Sequence, residues 1–361
     1  MLAGDWVPED TRTIDFDKLP RVPVEHAVVI DKHAEKGLAQ HNYLVHHEGR
    51  FWAMWSDGPE IEDKVGQVVK YATSLDGMKW TAPEFLTPYP PYSGPDSPYY
   101  NTRSRLGMRY IARGFWVRGK QFLALASLDE AGVFFEPSLA LHAFEWSVQK
   151  KAWLFAGVVQ QNAINNFPPQ ILPNGQWGMS QRTFDYRKTG SRFLIGGKER
   201  LDRWQSVPVV NEKDDLKPEE PHWWTLPDGK NIMAMFRDNG GSYSIHRSFS
   251  TDSGLTWSRP VATNFPDAMS KFHGLRLKDG RYVLVSNPKP KVRDPMTIAL
   301  SDDGMVFNKM FYVVGGRRID YPHVMEHDGY LFIAHNSGKR SFEIERVSIS
   351  DLDAMKMPAR R

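Results

Sequence analysis

Residues 220–257 read EPHWWTLPDGKNIMAMFRDNGGSYSIHRSFSTDSGLTW, and this stretch decides the architecture. Its first half holds two apolar runs separated by Asp228-Gly229. Asp-Gly between such runs is a strong sign of a β-hairpin, because Gly supplies the positive φ that a tight turn requires. Its second half ends in STDSGLTW at 250–257. This is a turn with built-in chemistry. Asp252 can accept from amides of its own loop, Gly254 can take positive φ, and Trp257 can plug the neighbouring sheet.

Both features recur along the chain. The hairpin pattern returns as HNYLVHHEGRFWAMW, FWVRGKQFLALAS, PPQILPNGQWGMS, FHGLRLKDGRYVLVS and YPHVMEHDGYLFIAH. The turn glycines are Gly49, Gly119, Gly175, Gly229, Gly280 and Gly329, spaced by 70, 56, 54, 51 and 49 residues. Such a spacing fits four strands per unit and predicts an all-β, six-bladed β-propeller, with seven blades as the variant count. A lone four-stranded sheet leaves two wet faces, and packing sheets around an axis buries them. Two stacked β-sandwiches are the alternative, but they do not need so even a spacing. Only 32 residues follow Gly329. The last blade therefore needs a strand from the N-terminal segment, with AVVIDK at 27–32 the candidate. Partial copies of the turn motif stand at 74–80 (SLDGMKW) and 301–307 (SDDGMVF). The whole chain, 1–361, reads as one propeller domain, with VNEKDDLKPEE at 210–220 as an exposed loop.

Composition narrows the function. The net charge of +3 comes from 46 basic and 43 acidic residues, which argues against nucleic acid as the partner. There is no cysteine, so disulfides, thiolate metal sites and thiol catalysis are excluded. No stretch is apolar for the roughly 18–20 residues a membrane span needs. The N-terminal sequence MLAGDWVPEDTRT has no apolar core of a signal peptide. The expectation is a soluble protein, cytoplasmic or exported with its signal removed, that binds an oligosaccharide or glycan and neither nucleic acid nor membrane.

Candidate site residues fall at one phase of the repeat, just before each hairpin. There the chain carries Gln40-His41-Asn42, Arg103 and Arg105 with Tyr110, Asn166 and Gln170, Glu220 with His222, Lys271 with His273, and Tyr321 with His323. A structural ring would place small apolar residues at these positions, so polar and aromatic side chains there point to a functional mouth.

The turn motif S-x-D-x-G-x-T-W is the Asp-box, and with the hairpins around it the chain resembles the sialidase-like superfamily of BNR-repeat propellers. Residues 220–257 look like the fourth sialidase blade, which implies that Glu220 is catalytic and that Arg237 binds a substrate carboxylate. The following segment, LKDGRYVLVSNPKPKVRDPMTIALSDDG, resembles the one that supplies a second such arginine, here Arg293. The last blade opens with DYPHVMEHDGYL, which places the nucleophilic tyrosine at Tyr321, and the interval of 28 residues from Arg293 suits the family. The chemistry is coherent. A phenol with pKa near 10 is a weak nucleophile that a carboxylate can activate by taking its proton. Sialidases use tyrosine as an exception among glycosidases. The acid for the leaving oxygen is expected in SDGPEIEDK, at Asp63 with Asp57 as alternate.

The resemblance breaks at the first blade. Its carboxylate-binding arginine is missing, and Gln40-His41-Asn42-Tyr43 stands in its place. Together with His222, His273 and His323, this resembles the His-bearing mouths of propellers that cleave rhamnosyl–glucuronate linkages. Three readings stay open: an exo-acting glycoside hydrolase on an acidic or acid-linked sugar using Tyr321 and Glu220, a lyase using His or Tyr as proton-transfer group, and a non-catalytic carbohydrate-binding propeller. His41 joins the catalytic candidates. Arg105, Asn42, His222, His273 and His323 join Arg237 and Arg293 as substrate-binding candidates. No cofactor is required on any reading. A calcium ion is possible, and no metal ligands are assigned.

Overall fold

The computed structural model describes residues 1–91, 107–131, 135–209 and 217–358. Strand β1 spans Glu25–Asp31. The first sheet follows with β2 (Leu38–His47), β3 (Arg50–Gly58), β4 (Val68–Ser74) and β5 (Glu84–Phe85). The second holds β6 (Met108–Arg118), β7 (Gln121–Glu130), β8 (Ala140–Ser147) and β9 (Ala152–Gln161). The third holds β10 (Gln170–Ile171), β11 (Trp177–Gln181), β12 (Arg192–Gly196) and β13 (Trp204–Pro208). The fourth runs through β14 (Pro218–Thr225), β15 (Ile232–Asp238), β16 (Ser244–Ser250) and β17 (Val261–Pro266). The fifth holds β18 (His273–Arg276), β19 (Tyr282–Ser286), β20 (Met296–Ser301) and β21 (Phe307–Val314). The sixth holds β22 (Ile319–His327), β23 (Tyr330–Ser337) and β24 (Ser341–Ser348), with β1 beside β24. These six four-stranded sheets are the blades of a six-bladed β-propeller.

All six predicted turn glycines are left-handed, with φ between 59° and 97°. Each joins the first two strands of its sheet, so the dipeptides that marked the hairpins do so for the stated reason. The second strands are buried on both faces, as in β7 and β19, while outermost strands such as β5 and β9 are largely exposed. A strand covered on both sides shows a continuous apolar run such as YVLVS, where a strand with one wet face would alternate.

The described residues group into two compact units. The first comprises residues 1–27, 213–338 and 343–361; the second comprises 28–212 and 339–342. In the first, Trp224, Met235, Phe265, Tyr282 and Phe307 pack together with Leu2 and Phe16 of the N-terminal segment. In the second, Tyr43, Trp52, Tyr71, Phe122 and Trp153 fill the space between the first two sheets.

The Asp-box turns behave alike. Asp252 accepts from the Thr256 amide (2.9 Å), Asp303 from the Met305 and Val306 amides (2.8 and 2.7 Å), and Asp76 from the Met78 and Lys79 amides (both 2.8 Å). Gly304, at φ 74°, lies so close to Trp224 and Tyr282 that an added Cβ would sit 2.9 Å from the Trp224 indole nitrogen. Two expectations need correction. Trp257 is only half-buried, and its indole N–H donates to Gly254 of its own turn (2.9 Å). Its indole N–H thus closes its own turn, and the side chain is not the fully buried plug expected. The charged stretch 210–220 is not a loop throughout. Its end enters β14, where Glu219 and Glu220 are buried.

Candidate active site

Three blades share a backbone device in their first strand. Gln40 faces Ser56 and Tyr43 faces Met54; Glu219 faces Arg237 and His222 faces Met235; Asp320 faces Asn336 and His323 faces Ala334. In each case the first strand spends one residue more than its partner, which is a β-bulge. The residue after the first anchor is left-handed in all three: His41 at φ 56°, Glu220 at 51° and Tyr321 at 56°. For non-glycine residues this backbone costs about 1 kcal/mol or more and re-aims the side chain. Pro221 and Pro322 lie inside two of the bulges, where a missing N–H breaks no ladder bond.

Within the first unit, the bulges of β14 and β22 bring charged groups together. Arg237 on β15 holds Glu220 by an ion pair (Nη1 to Oε2, 2.8 Å) and approaches Glu219 (3.5 Å). Burial works against the Arg237 charge, but Glu220, Tyr321, Glu219 and Asp267 outweigh it and hold the guanidinium more firmly protonated than usual. Arg293 lies over the Tyr321 ring at 5.3 Å and pairs with Asp320, the residue before the tyrosine. It also donates to the Met269 carbonyl (3.2 Å). Tyr321 and Glu220 are both buried, at 8% and 6% exposure. Asp267, which the sequence gave no reason to select, is fully buried in the same unit. Burial pushes its carboxyl up to about 7, against the pull of Arg237 and Arg293. A cavity of about 710 Å³ is lined by Arg237 and Arg293 together with Tyr243, Met269 and Asp294.

The histidines of this unit form a stack. His273 lies 4.3 Å from His323, nearly parallel, and 4.7 Å from His222, edge-on. His273 Nδ1 accepts the Val324 amide (3.0 Å), which commits that nitrogen to the backbone. Burial keeps all three well below the usual imidazole range, His222 at about 3, with buried Lys271 adding to the effect. They are neutral rings packed on one another.

The second unit holds His41, Asn42 and Asp63. His41 Nδ1 lies 3.1 Å from Ser56 Oγ, and its Nε2 lies 3.6 Å from Glu62. Glu62 also accepts from Gln40 (2.9 Å) and pairs with Lys339. Asn42 is buried, with Nδ2 3.5 Å from the Ser341 carbonyl. Asp63 is held by Arg109 (3.1 Å), which is itself bound in two-pronged fashion to buried Asp129 (3.0 and 3.1 Å). Asp57, the alternate acid, is tied to Lys32 and Lys70 (3.0 and 3.1 Å). Arg103 and Arg105 lie outside the described residues. Sequence reasoning missed Glu62, Arg109 and Asp129. Glu62 stood within the acidic loop already singled out, whereas nothing in the sequence links Arg109 to Asp129.

Among the described residues, one group of three His, Asp or Glu brings its ligand atoms within 4.8 Å of one another: His26, Glu343 and Glu345. It offers two carboxylates and a ring nitrogen, and Glu343 is already paired with Arg317. That set does not fit calcium, which takes six to eight oxygen ligands. No helix of the described residues is long and apolar enough to cross a membrane.

The BNR repeat-like domain family matches residues 110–333, well over half of the chain. The chain belongs to this family. No curated protein sequence is significantly similar to it. Among solved structures, a protein of unknown function from Dyadobacter fermentans is similar to this BNR-repeat chain at TM-score 0.69 and 16% identity, covering 92% of this chain and 100% of that one. Trypanosoma rangeli sialidase in complex with sialic acid is similar at TM-score 0.67 and 13% identity, covering 93% of this chain and 61% of that one. A leech intramolecular trans-sialidase gives 0.68 and 13%, covering 92% and 71%. The BNR-repeat chain thus spans about three fifths of the T. rangeli enzyme and 35% of another sialidase. These likenesses establish the sialidase-like propeller fold.

Proposed function

We propose that the protein is an exo-acting glycoside hydrolase on an acidic or acid-linked sugar, with Tyr321 as nucleophile and Glu220 as the carboxylate that accepts its proton. One observation carries this reading. Glu220 and Tyr321 occupy the same left-handed bulge position of two blades, and the cations Arg237 and Arg293 stand directly against them. The strained backbone at both positions is the kind that persists where side-chain aim matters. A neutral tyrosine can approach an anomeric carbon next to a carboxylate without repulsion. Its oxygen bonds to that carbon as the glycosidic C–O bond breaks and the leaving oxygen takes a proton from water. Water then displaces Tyr321 from the sugar, and the phenol regains its proton from Glu220. Arg237 and Arg293 would hold that carboxylate by charge-assisted hydrogen bonds.

The sugar is not expected to be an ordinary sialoside. Gln40 stands where sialidases carry the first carboxylate-binding arginine, and its amide is engaged by Glu62. Loss of one charge-assisted pair costs about 1.5–3 kcal/mol, or roughly ten- to hundredfold in affinity. The test is release of product from sialosides, rhamnosyl glucuronides and uronate oligosaccharides side by side. Efficient sialic acid release would overturn the specificity. Formation of an unsaturated, ultraviolet-absorbing uronate would overturn hydrolysis in favour of a lyase.

A second reading has its own observation. His41 shares the left-handed bulge and lies near Glu62. Such a pair could serve as general base in a lyase or hydrolase.

A further inference from the structure

The cavity beside Arg237 and Arg293 has a second charged wall, formed by Lys291, Arg317 and Arg318. The carboxylates that pair with these arginines lie behind the wall. Arg318 is 56% exposed, while its partner Asp320 is fully buried and shared with Arg293. Arg317 is 41% exposed, and its partner Glu343 only 9%. Lys291 is exposed and has no ion-pair partner among the described residues; its ammonium lies 5.4 Å from the Tyr243 ring. The acid on the lining, Asp294, spends one oxygen on the Gly316 amide (2.9 Å). Cations therefore face the cavity and anions sit beneath them, which makes the potential inside it positive. At about 710 Å³ the cavity falls within the range of small-molecule sites, about 300–1,000 Å³.

We infer that this wall is a second anion subsite, which takes a further carboxylate or sulfate group of an oligosaccharide whose first acidic group lies against Arg237 and Arg293. Substrates with two acidic groups are then preferred to those with one. The inference rests on the proposed role of Arg237 and Arg293. Tyr243 supplies a flat face for a sugar ring beside the Lys291 charge.

Calorimetric titration tests it with three probes: a methyl uronoside carrying one carboxylate, a disaccharide of two uronates, and a uronyl disaccharide carrying a sulfate ester. The wild-type protein is expected to bind at least one two-acid probe about tenfold more tightly than the one-acid probe, with the gap shrinking as salt rises. Lys291→Glu should close most of that gap while moving the one-acid probe by less than about twofold, and Lys291→Arg should preserve it. Which two-acid probe shows the gap tells carboxylate from sulfate. Lys291 lies in an exposed turn and already has φ 67°, so Lys291→Glu adds no backbone strain. Equal binding of all probes by the wild type, or a gap that survives Lys291→Glu, overturns the subsite and leaves the roles of Arg237 and Arg293 standing. Failure of the wild type to bind any of the three overturns those roles and the subsite together. Inorganic sulfate should compete with the two-acid probe at lower concentration than with the one-acid probe, and the reverse order also overturns the subsite.

Discussion

The first strands of the two units carry the same kink with different chemistry at its tip. In β14 and β22 of the first unit, the left-handed residues are Glu220 and Tyr321, set against Arg237 and Arg293. In β2 of the second unit, the left-handed residue is His41, set against Ser56 and Glu62. The backbone device is thus a property of the blade, and the side chain placed on it decides what a blade can do. On the proposed reading, the phenol, carboxylate and two guanidiniums serve nucleophilic attack on an acidic sugar. An imidazole near a carboxylate is equipped for proton transfer. The two can be set against each other by substitution.

The largest effect is expected at Tyr321. Tyr321→Phe removes the oxygen and keeps the ring under Arg293, so turnover should fall by about a thousandfold or more while ligand affinity stays within about threefold. His41→Gln should cost less than about tenfold in kcat. Single-turnover kinetics with a product-release assay check both. The reverse pattern, with Tyr321→Phe active and His41→Gln dead, hands the chemistry to the second unit and to the proton-transfer reading.

The contrast between units also marks what the sequence could disclose. Six hairpins and three Asp-box turns were legible because each is a local contract between a glycine or aspartate and its own backbone. Glu220 and Tyr321 could be singled out as candidates because they fall at one phase of a repeat and match positions of the sialidase-like blades. The bulge beneath them is marked only indirectly, by Pro221 and Pro322 in two of the three strands, since a one-residue slip with a non-glycine residue at its apex leaves no mark in residue spacing. Arg109 and Asp129 pair across β6 and β7, twenty positions apart, and only the strand register brings them together. Asp267 owes its interest to burial alone.

The second largest effect concerns that hidden pair. Arg109 and Asp129 both have fully buried side chains, and Asp129→Asn would leave a guanidinium facing too little negative charge. Breaking such a pair costs about 3–5 kcal/mol. The partly exposed first-unit pair Arg281–Asp353 should lose less than about 1 kcal/mol in Asp353→Asn. Urea denaturation of both variants tests the difference, and similar midpoints would mean that the second unit does not depend on its buried ion pair.

A third effect is read in pH. His222, His273 and His323 have folded-state pKa values depressed below 6.5 by burial. Unfolding therefore takes up protons below that pH. Their contribution is fully present above about pH 6.5 and is lost as the pH falls from there toward 3, the value for His222. Each histidine adds at most about 1.4 kcal/mol per pH unit in that window. His222→Gln should flatten the profile by one such increment relative to wild type. Parallel profiles for the two proteins would show that His222 is protonated in the fold.

The smallest effect tests whether the Asp-box turns are structural and nothing more. Asp252 accepts from the Thr256 amide and hydroxyl (2.9 and 2.6 Å) and from Ser250, all within its own turn. It is partly exposed and lies outside the lining of the cavity beside Arg237 and Arg293. Asp252→Ala removes these bonds without burying an unpaired charge, so the loss should be about 1–2 kcal/mol. The second unit carries the same turn at Asp76, which accepts the Met78 and Lys79 amides and the Ser74 hydroxyl. Asp76→Ala should therefore cost about as much. Thermal unfolding of the two variants should agree within about 1 kcal/mol, with kcat/KM unchanged in both. A fall in kcat/KM confined to Asp252→Ala, with unfolding unaltered, would mean that this turn acts on the first unit's site as well as on its fold, and the equivalence of the turns in the two units would end there.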